Sequence, residues 1–177
     1  MYFLAEKDIP LALLLPEDKL EVDEAISTLK AYAFIAEREQ TSYDIHRLVR
    51  LAMRNWLETK GELKQQVSST LQRLDRAFLF PEHENRDMWL RYLLHVLAAL
   101  EFRNVYRCET KGHLLFNVGA SYSNLAKYQE AEEMYWQTLE LKETVLGCEH
   151  PDTLASMNNL ANVLDSQGKY SEAEQMH

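Results

Sequence analysis

The amino-acid sequence predicts a mainly α fold that ends in an α-solenoid of helical hairpins and carries one small β-hairpin near its start. Three observations support this. Residues 117–135 and 159–177 superpose at a spacing of 42 with seven identities: Asn117/Asn159, Lys127/Lys169, Tyr128/Tyr170, Glu130/Glu172, Ala131/Ala173, Glu132/Glu174 and Met134/Met176. A fixed period of this size marks stacked supersecondary units, none of which buries its apolar face alone. Helical apolar spacing recurs through most of the chain. Two short runs, Ala33–Glu37 and Ser42–Ile45, flank polar residues 38–41 in hairpin fashion.

The elements divide into three segments. In residues 1–60, a short apolar stretch (Ile9–Leu15) precedes an amphipathic helix over Val22–Tyr32, with Val22, Ala25, Ile26 and Leu29 on one stripe. The hairpin follows, and then a helix over His46–Leu57 expected to bury Leu48, Val49, Ala52, Met53 and Trp56. Helix, hairpin and helix in this order fit the last part of a winged-helix domain. Residues 61–110 form a helical connector with helices over Leu63–Leu79 and Asp87–Phe102, and Pro81 between them breaks any continuous helix. Residues 111–177 hold about one and a half repeats. Their first helices cover 111–125 and 153–167. Turns at Ala126-Lys127 and Gly168-Lys169 lead to second helices from Tyr128 and from Tyr170. Gly147 stops the first of these near Leu146, and Pro151-Asp152-Thr153 restarts the next. Gly119 and Ala161 are small enough for a neighbouring helix to approach closely. The sequence ends at His177 within a second helix, so a truncated array is expected, with further repeats or an oligomer covering that helix.

Composition narrows the function. With 46% apolar and 27% charged residues the chain has an ordinary globular make-up. Its net charge of −9 argues against nonspecific nucleic-acid binding by the whole chain. The two cysteines, Cys108 and Cys148, match no metal or redox spacing and read as free thiols. No apolar run approaches a membrane span, and the default expectation is a cytoplasmic location. No GxxxxGK[ST] loop is present to cradle phosphates, no HxxxH or HExxH pair to hold a metal, and no GxSxG elbow to present a nucleophile. The sequence therefore points to a noncatalytic protein that needs no cofactor or metal.

The segment Leu139–Gln175, LELKETVLGCEHPDTLASMNNLANVLDSQGKYSEAEQ, resembles the tetratricopeptide repeat. The 42-residue period, the VLG…HP…T linker, the NNLA start and the GKY.EAE turn are closest to the long-period variety found in kinesin light chains and in many fungal and bacterial proteins. The resemblance covers residues 111–177 and implies protein or peptide binding. The order FLAEKDIPLALL, LKAYAFIAER and SYDIHRLVRLAMRNWL is similar to the winged-helix segment that follows the nucleotide-binding core of STAND-class (NB-ARC or NACHT) NTPases. That resemblance implies a fragment of the regulatory or sensor half of such a protein, with ADP or ATP relevant only through an NTPase domain upstream. It also implies a nucleotide-sensing role for His46, whose counterpart contacts the β-phosphate of ADP. Read without the resemblance, His46 is a capping or packing residue at a helix start.

On the repeat pattern, the inner face of the first helices carries Phe116, Asn117, Ala120, Ser123 and Asn124, then Asn158, Asn159, Asn162, Asp165 and Ser166. Amides offer both donor and acceptor, so a row of them suits an extended peptide backbone. In similar repeats Asn at the places of Asn117, Asn159 and Asn162 contacts ligand. The candidate peptide-binding residues are therefore Asn117, Asn124, Asn158, Asn159, Asn162 and Ser166; the same amides could instead bond between repeats. Two other functions remain open: a kinesin-light-chain-like adaptor, and a winged-helix DNA-binding regulator using the Arg47, Arg50 and Arg54 stripe.

Overall fold

The computed structural model describes residues 4–14, 19–39, 42–101 and 109–176. Leu15, Phe102, Cys108 and His177, and the side chain of Val22, lie outside the described residues. The fold is mainly α with one small sheet, as the sequence predicts. The chain divides into two compact units, Met1–Ala77 and Phe78–His177. The 61–110 connector is split between them, its first helix in one unit and its second in the other.

The first unit opens with β1 (Ile9–Pro10) and α1 (Leu11–Leu14), then α2 (Lys19–Ala31), β2 (Ile35–Glu39), β3 (Ser42–Ile45), α3 (Arg47–Lys60) and α4 (Leu63–Ala77). The sheet is antiparallel in the order β1-β3-β2, with Ile35 opposite Ile45 and Ile9 opposite Tyr43. The hairpin is present and its second strand falls where expected, while the first runs over Ile35–Glu39 instead of Ala33–Glu37. The third strand does not appear in the sequence pattern, because two residues ending in Pro10 leave no period to read. Ile9, Ile35, Tyr43 and Ile45 are all buried, and Val67, Leu71 and Leu74 of α4 supply further core. Arg50 secures the N-terminal segment: Nη1 donates to the Leu4 carbonyl at 3.0 Å and Nη2 lies 3.3 Å from Glu6 Oε1.

One expectation for this unit is corrected. The apolar stripe of α3 is not buried: Leu48 is 67% and Trp56 56% exposed, Ala52 is exposed, and Val49 and Met53 are half-buried. The helix buries Leu57 on an adjoining flank instead. Amphipathic spacing identifies an apolar face and leaves open what covers it.

The second unit contains α5 (Arg86–Leu100), α6 (Glu109–Asn124), α7 (Tyr128–Leu146), α8 (Pro151–Ser166) and α9 (Tyr170–Ala173). The α6–α7 and α8–α9 hairpins begin and end close to where the repeat predicts. Ala131, Tyr135, Leu139, Leu160, Ala161, Leu164 and Ala173 form one core, with Phe116, Tyr128 and Met157 packed at its edge. At Gly119 an added Cβ would stand 2.9 Å from Tyr135 Cε1, so glycine there sets the distance between α6 and α7. Burial pushes the Tyr135 phenol up to about 12, consistent with a ring held away from water.

The two intrahairpin turns share a backbone form. Ala126 has φ 56° and Gly168 has φ 79°, and these positions are one period apart. A Cβ in the left-handed region costs about 1 kcal/mol, a cost that Gly168 avoids and Ala126 carries. Two outcomes are expected in urea unfolding. Ala126→Gly should raise stability by roughly 0.5–1 kcal/mol while Gly168→Ala lowers it by about as much. Gly119→Val should cost ~3 kcal/mol, because the buried Tyr135 ring has nowhere to retreat.

Candidate functional site

The candidate site lies on the first helices of the repeats, α6 and α8, and the structure treats their polar residues unequally. Asn117 Nδ2 donates to the Phe78 carbonyl at 3.2 Å, and Asn124 Nδ2 donates to the Pro81 carbonyl at 2.8 Å. Two amides spaced seven residues along α6 thus hold two carbonyls of the non-helical segment 78–85. Phe78 is fully buried and Pro81 is buried. Phe80 meets Phe116 with ring centroids 6.2 Å apart, and Phe116 meets Tyr135 edge-on at 5.6 Å. The segment is closed off by Trp89, whose Nε1 donates to the Glu82 carbonyl at 3.0 Å.

On α8 the corresponding residues turn to their own helix. Asn159 Nδ2 donates to the Ala155 carbonyl and the Ser166 hydroxyl to the Asn162 carbonyl, both at 2.8 Å. Asn158, Asn162 and Ser166 are exposed. The six residues therefore do not form one uniform row: two bind the chain's own backbone, two bond back along α8, and Asn158 and Asn162 present their amides to solvent.

His46 sits at the N-cap of α3 with φ −67° and ψ 132°, and its Nδ1 accepts from the Leu48 N–H at 3.2 Å. His150 caps α8 in the same way, accepting from the Asp152 N–H at 3.2 Å. Two residues of the arginine stripe are engaged within the unit, Arg50 as described and Arg54 with Glu58 at 2.8 Å, while Arg47 is exposed. Among the described residues no group of three His, Cys, Asp or Glu side chains is placed to hold a metal ion, and no helix is long and apolar enough to cross a membrane. Cys148 is an exposed free thiol.

Two polar features escaped the sequence reading. Lys142 is almost wholly buried; its ammonium lies 4.7 Å above the Phe116 ring and donates to the Asp152 carbonyl at 3.2 Å. Burial lowers its pKa, and the nearby Asp152 charge opposes that shift. The second feature is a clamp between repeats. Glu132 Oε2 of α7 accepts from Gln167 Nε2 at 2.8 Å and from Lys169 Nζ at 2.7 Å, and Gln167 also donates to the Tyr128 carbonyl at 3.0 Å. A carboxylate and a Gln-x-Lys turn 35 and 37 residues away make a legible pair only once the repeat register is known.

The hairpins are recognisable by comparison. Residues 112–177 match the family model described as tetratricopeptide repeat. This segment is a tetratricopeptide-repeat region. The chain is also 48% identical over 161 residues to a nucleotide-binding leucine-rich repeat (NLR)-like protein of the fungus Hyaloscypha variabilis, a match covering 89% of this chain and 16% of that protein. It is 41% identical over 44 residues to the human mitochondrial tetratricopeptide repeat protein 19, covering 25% of this chain and 12% of that one. The chain thus spans a small part of the length of either relative. The tetratricopeptide-repeat hairpins carry Glu132, Gln167, Lys169 and the α8 amides, so clamp and candidate surface belong to the same family scaffold.

The Glu132 clamp has a defined pH range. Burial alone would raise the Glu132 carboxyl, but the hydrogen bonds from Lys169 and Gln167 and the Lys169 charge outweigh it and hold the pKa below its ordinary 4.5. A depressed carboxyl stabilises the fold in full above that ordinary value and loses the contribution as pH falls through the depressed one. Lys169 is shifted upward from 10.5, chiefly by its hydrogen bond to Glu132, so its share is complete below that value and lost as pH rises past it. Glu132→Gln should therefore lower the thermal midpoint at pH 7. The difference from the unmodified chain should shrink when melts are repeated below pH 4.5 and again above pH 10.5.

Proposed function

We propose that the chain is a noncatalytic protein-interaction module whose repeat face binds an extended peptide or a partner's helix, within the regulatory half of a STAND-type NTPase. The observation that carries this reading is the pair of bonds from Asn117 and Asn124 to the Phe78 and Pro81 carbonyls. It supports the view that amides at these repeat positions have the reach and spacing to hold main chain. On α8 those places are held by Asn159 and Ser166, and the neighbouring Asn158 and Asn162, at the places of Phe116 and Ala120, carry the same amide and are exposed. The family match supports a protein partner, and the NLR-like relative supports a setting in a larger nucleotide-binding protein. In that setting ligand binding to the repeats would release the NTPase core, and the location would be cytoplasmic.

His46 fits the nucleotide-sensing role in one respect. Because Nδ1 accepts from Leu48 N–H, the proton of the neutral ring rests on Nε2, which can then donate to a phosphate oxygen. ADP would come only with an NTPase domain, since the sequence contains no GxxxxGK[ST] loop to cradle phosphates. The acidic chain, with Arg50 and Arg54 paired to carboxylates, gives a DNA-binding reading little support.

The test is affinity capture from a fungal extract with the immobilised 177-residue chain, followed by mass spectrometry. Asn158→Ala combined with Asn162→Ala should deplete specific partners about tenfold or more, the loss expected when buried polar groups of a ligand lose their bonds. An unchanged partner set would remove this face from consideration.

A further inference from the structure

The 78–85 segment is a ligand of α6 supplied by the chain itself. The carbonyls of Phe78 and Pro81, three residues apart, accept from Asn117 and Asn124, seven residues apart on the helix, and both pairs run in the same direction. Seven helical residues rise about 10.5 Å and three extended residues span about 10 Å. An extended chain parallel to the helix thus presents every third carbonyl in step with these donors. A helical ligand bonds its carbonyls internally and has none in its middle to offer.

Resting on the reading of α8 as a ligand face, we propose that its ligand is an extended, basic peptide segment lying parallel to the helix. One period on, Asn159 and Ser166 stand in the places of Asn117 and Asn124, again seven residues apart. Asn159 keeps a second amide N–H beyond the one it gives to Ala155, and the Ser166 hydroxyl is exposed and free to rotate outward. The main-chain path used on α6 therefore has its donors on α8 as well.

What differs is the place for the ligand's side chain. On α6 the Phe80 ring lies against Phe116, and Ala120 and Ser123 follow along the same stripe. On α8 these three places are Asn158, Asn162 and Asp165, which share one stripe and are all exposed. Two amides and a carboxylate thus replace the aromatic surface. Helix α8 contains Asp152 and Asp165 and no basic residue, so the local field is negative. A Lys or Arg in the place of Phe80 brings several N–H donors to this cluster on a stem long enough to reach along the stripe toward Asp165. It immediately precedes the residue whose carbonyl meets Ser166, as Phe80 precedes Pro81.

The test is selection from a phage-displayed library of random short peptides on the immobilised 177-residue chain, with the enriched sequences then measured by fluorescence anisotropy. One position enriched in Lys or Arg is the expected result. A proline placed directly after it should be tolerated, since no helix has to form. Asp165→Asn should weaken the enriched peptides about tenfold, as expected for one lost charge-assisted hydrogen bond. Selection repeated on Asp165→Lys should turn the same position to Asp or Glu. Asp165 is exposed, so neither change disturbs the core. Peptides lost with Asn158→Ala and Asn162→Ala but indifferent to both Asp165 variants would leave the face standing and overturn its preference for a basic ligand. Peptides that ignore all three positions overturn the face and the preference together. Enriched sequences that are acidic, or that lose binding when the proline is introduced, overturn the proposal equally, as does the absence of any enriched sequence.

Discussion

Tyr135 lying against Gly119 is the constraint around which the second unit is organised. A two-helix hairpin has more apolar surface than its two members can hide from each other, and it becomes stable only when the next hairpin stacks on it. Stacking needs a defined thickness. The absent side chain at Gly119 lets α7 come close enough to α6 for the Tyr135 ring to fill the space, and Leu160, Ala161 and Leu164 of α8 close over the result. The Glu132 clamp then ties the turn of the second hairpin to the second helix of the first. Apolar packing and these charged bonds thus both join the second hairpin to the first.

Much of this architecture was legible because the chain repeats itself. The start of α7 could be read from the turn repeated at Ala126-Lys127 and Gly168-Lys169, and its end from Gly147 with Pro151 beyond it. The β-hairpin was legible as a hairpin, though not in its register, which shifts between Glu37 and Glu39. The third strand was not, because Ile9 and Pro10 are too short a run to show alternation. The stripe on α3 was read correctly as apolar and wrongly as covered; periodicity describes one helix and is silent about its neighbours. The amides illustrate a further limit. That Asn117 and Asn124 would be occupied by the chain's own carbonyls, 39 and 43 residues away in sequence, depends on a path through space that no local pattern encodes.

The comparison of equivalent positions shows how duplicated units diverge in use. Asn117 and Asn159 occupy the same repeat place, yet one reaches across to another segment and the other folds back to Ala155 on its own helix. Asn124 and Ser166 differ likewise. In the first copy the face is committed to internal structure, and in the second its polar groups are within reach of solvent. His46 and His150, by contrast, perform one task in two unrelated settings, each offering Nδ1 to the second amide of a helix that would otherwise start without a partner.

The tethered stretch from Phe78 to Pro81 has a mechanical consequence. Any tension arriving along the backbone from the N-terminal side meets the Phe78 anchor first and the Pro81 anchor next, before it can unwind a turn of α5. The two amide bonds are loaded in succession, as a zipper is, with a buried aromatic ring resisting at the first tooth. The load passes in this way to α6, and α5 is spared it until both bonds have parted.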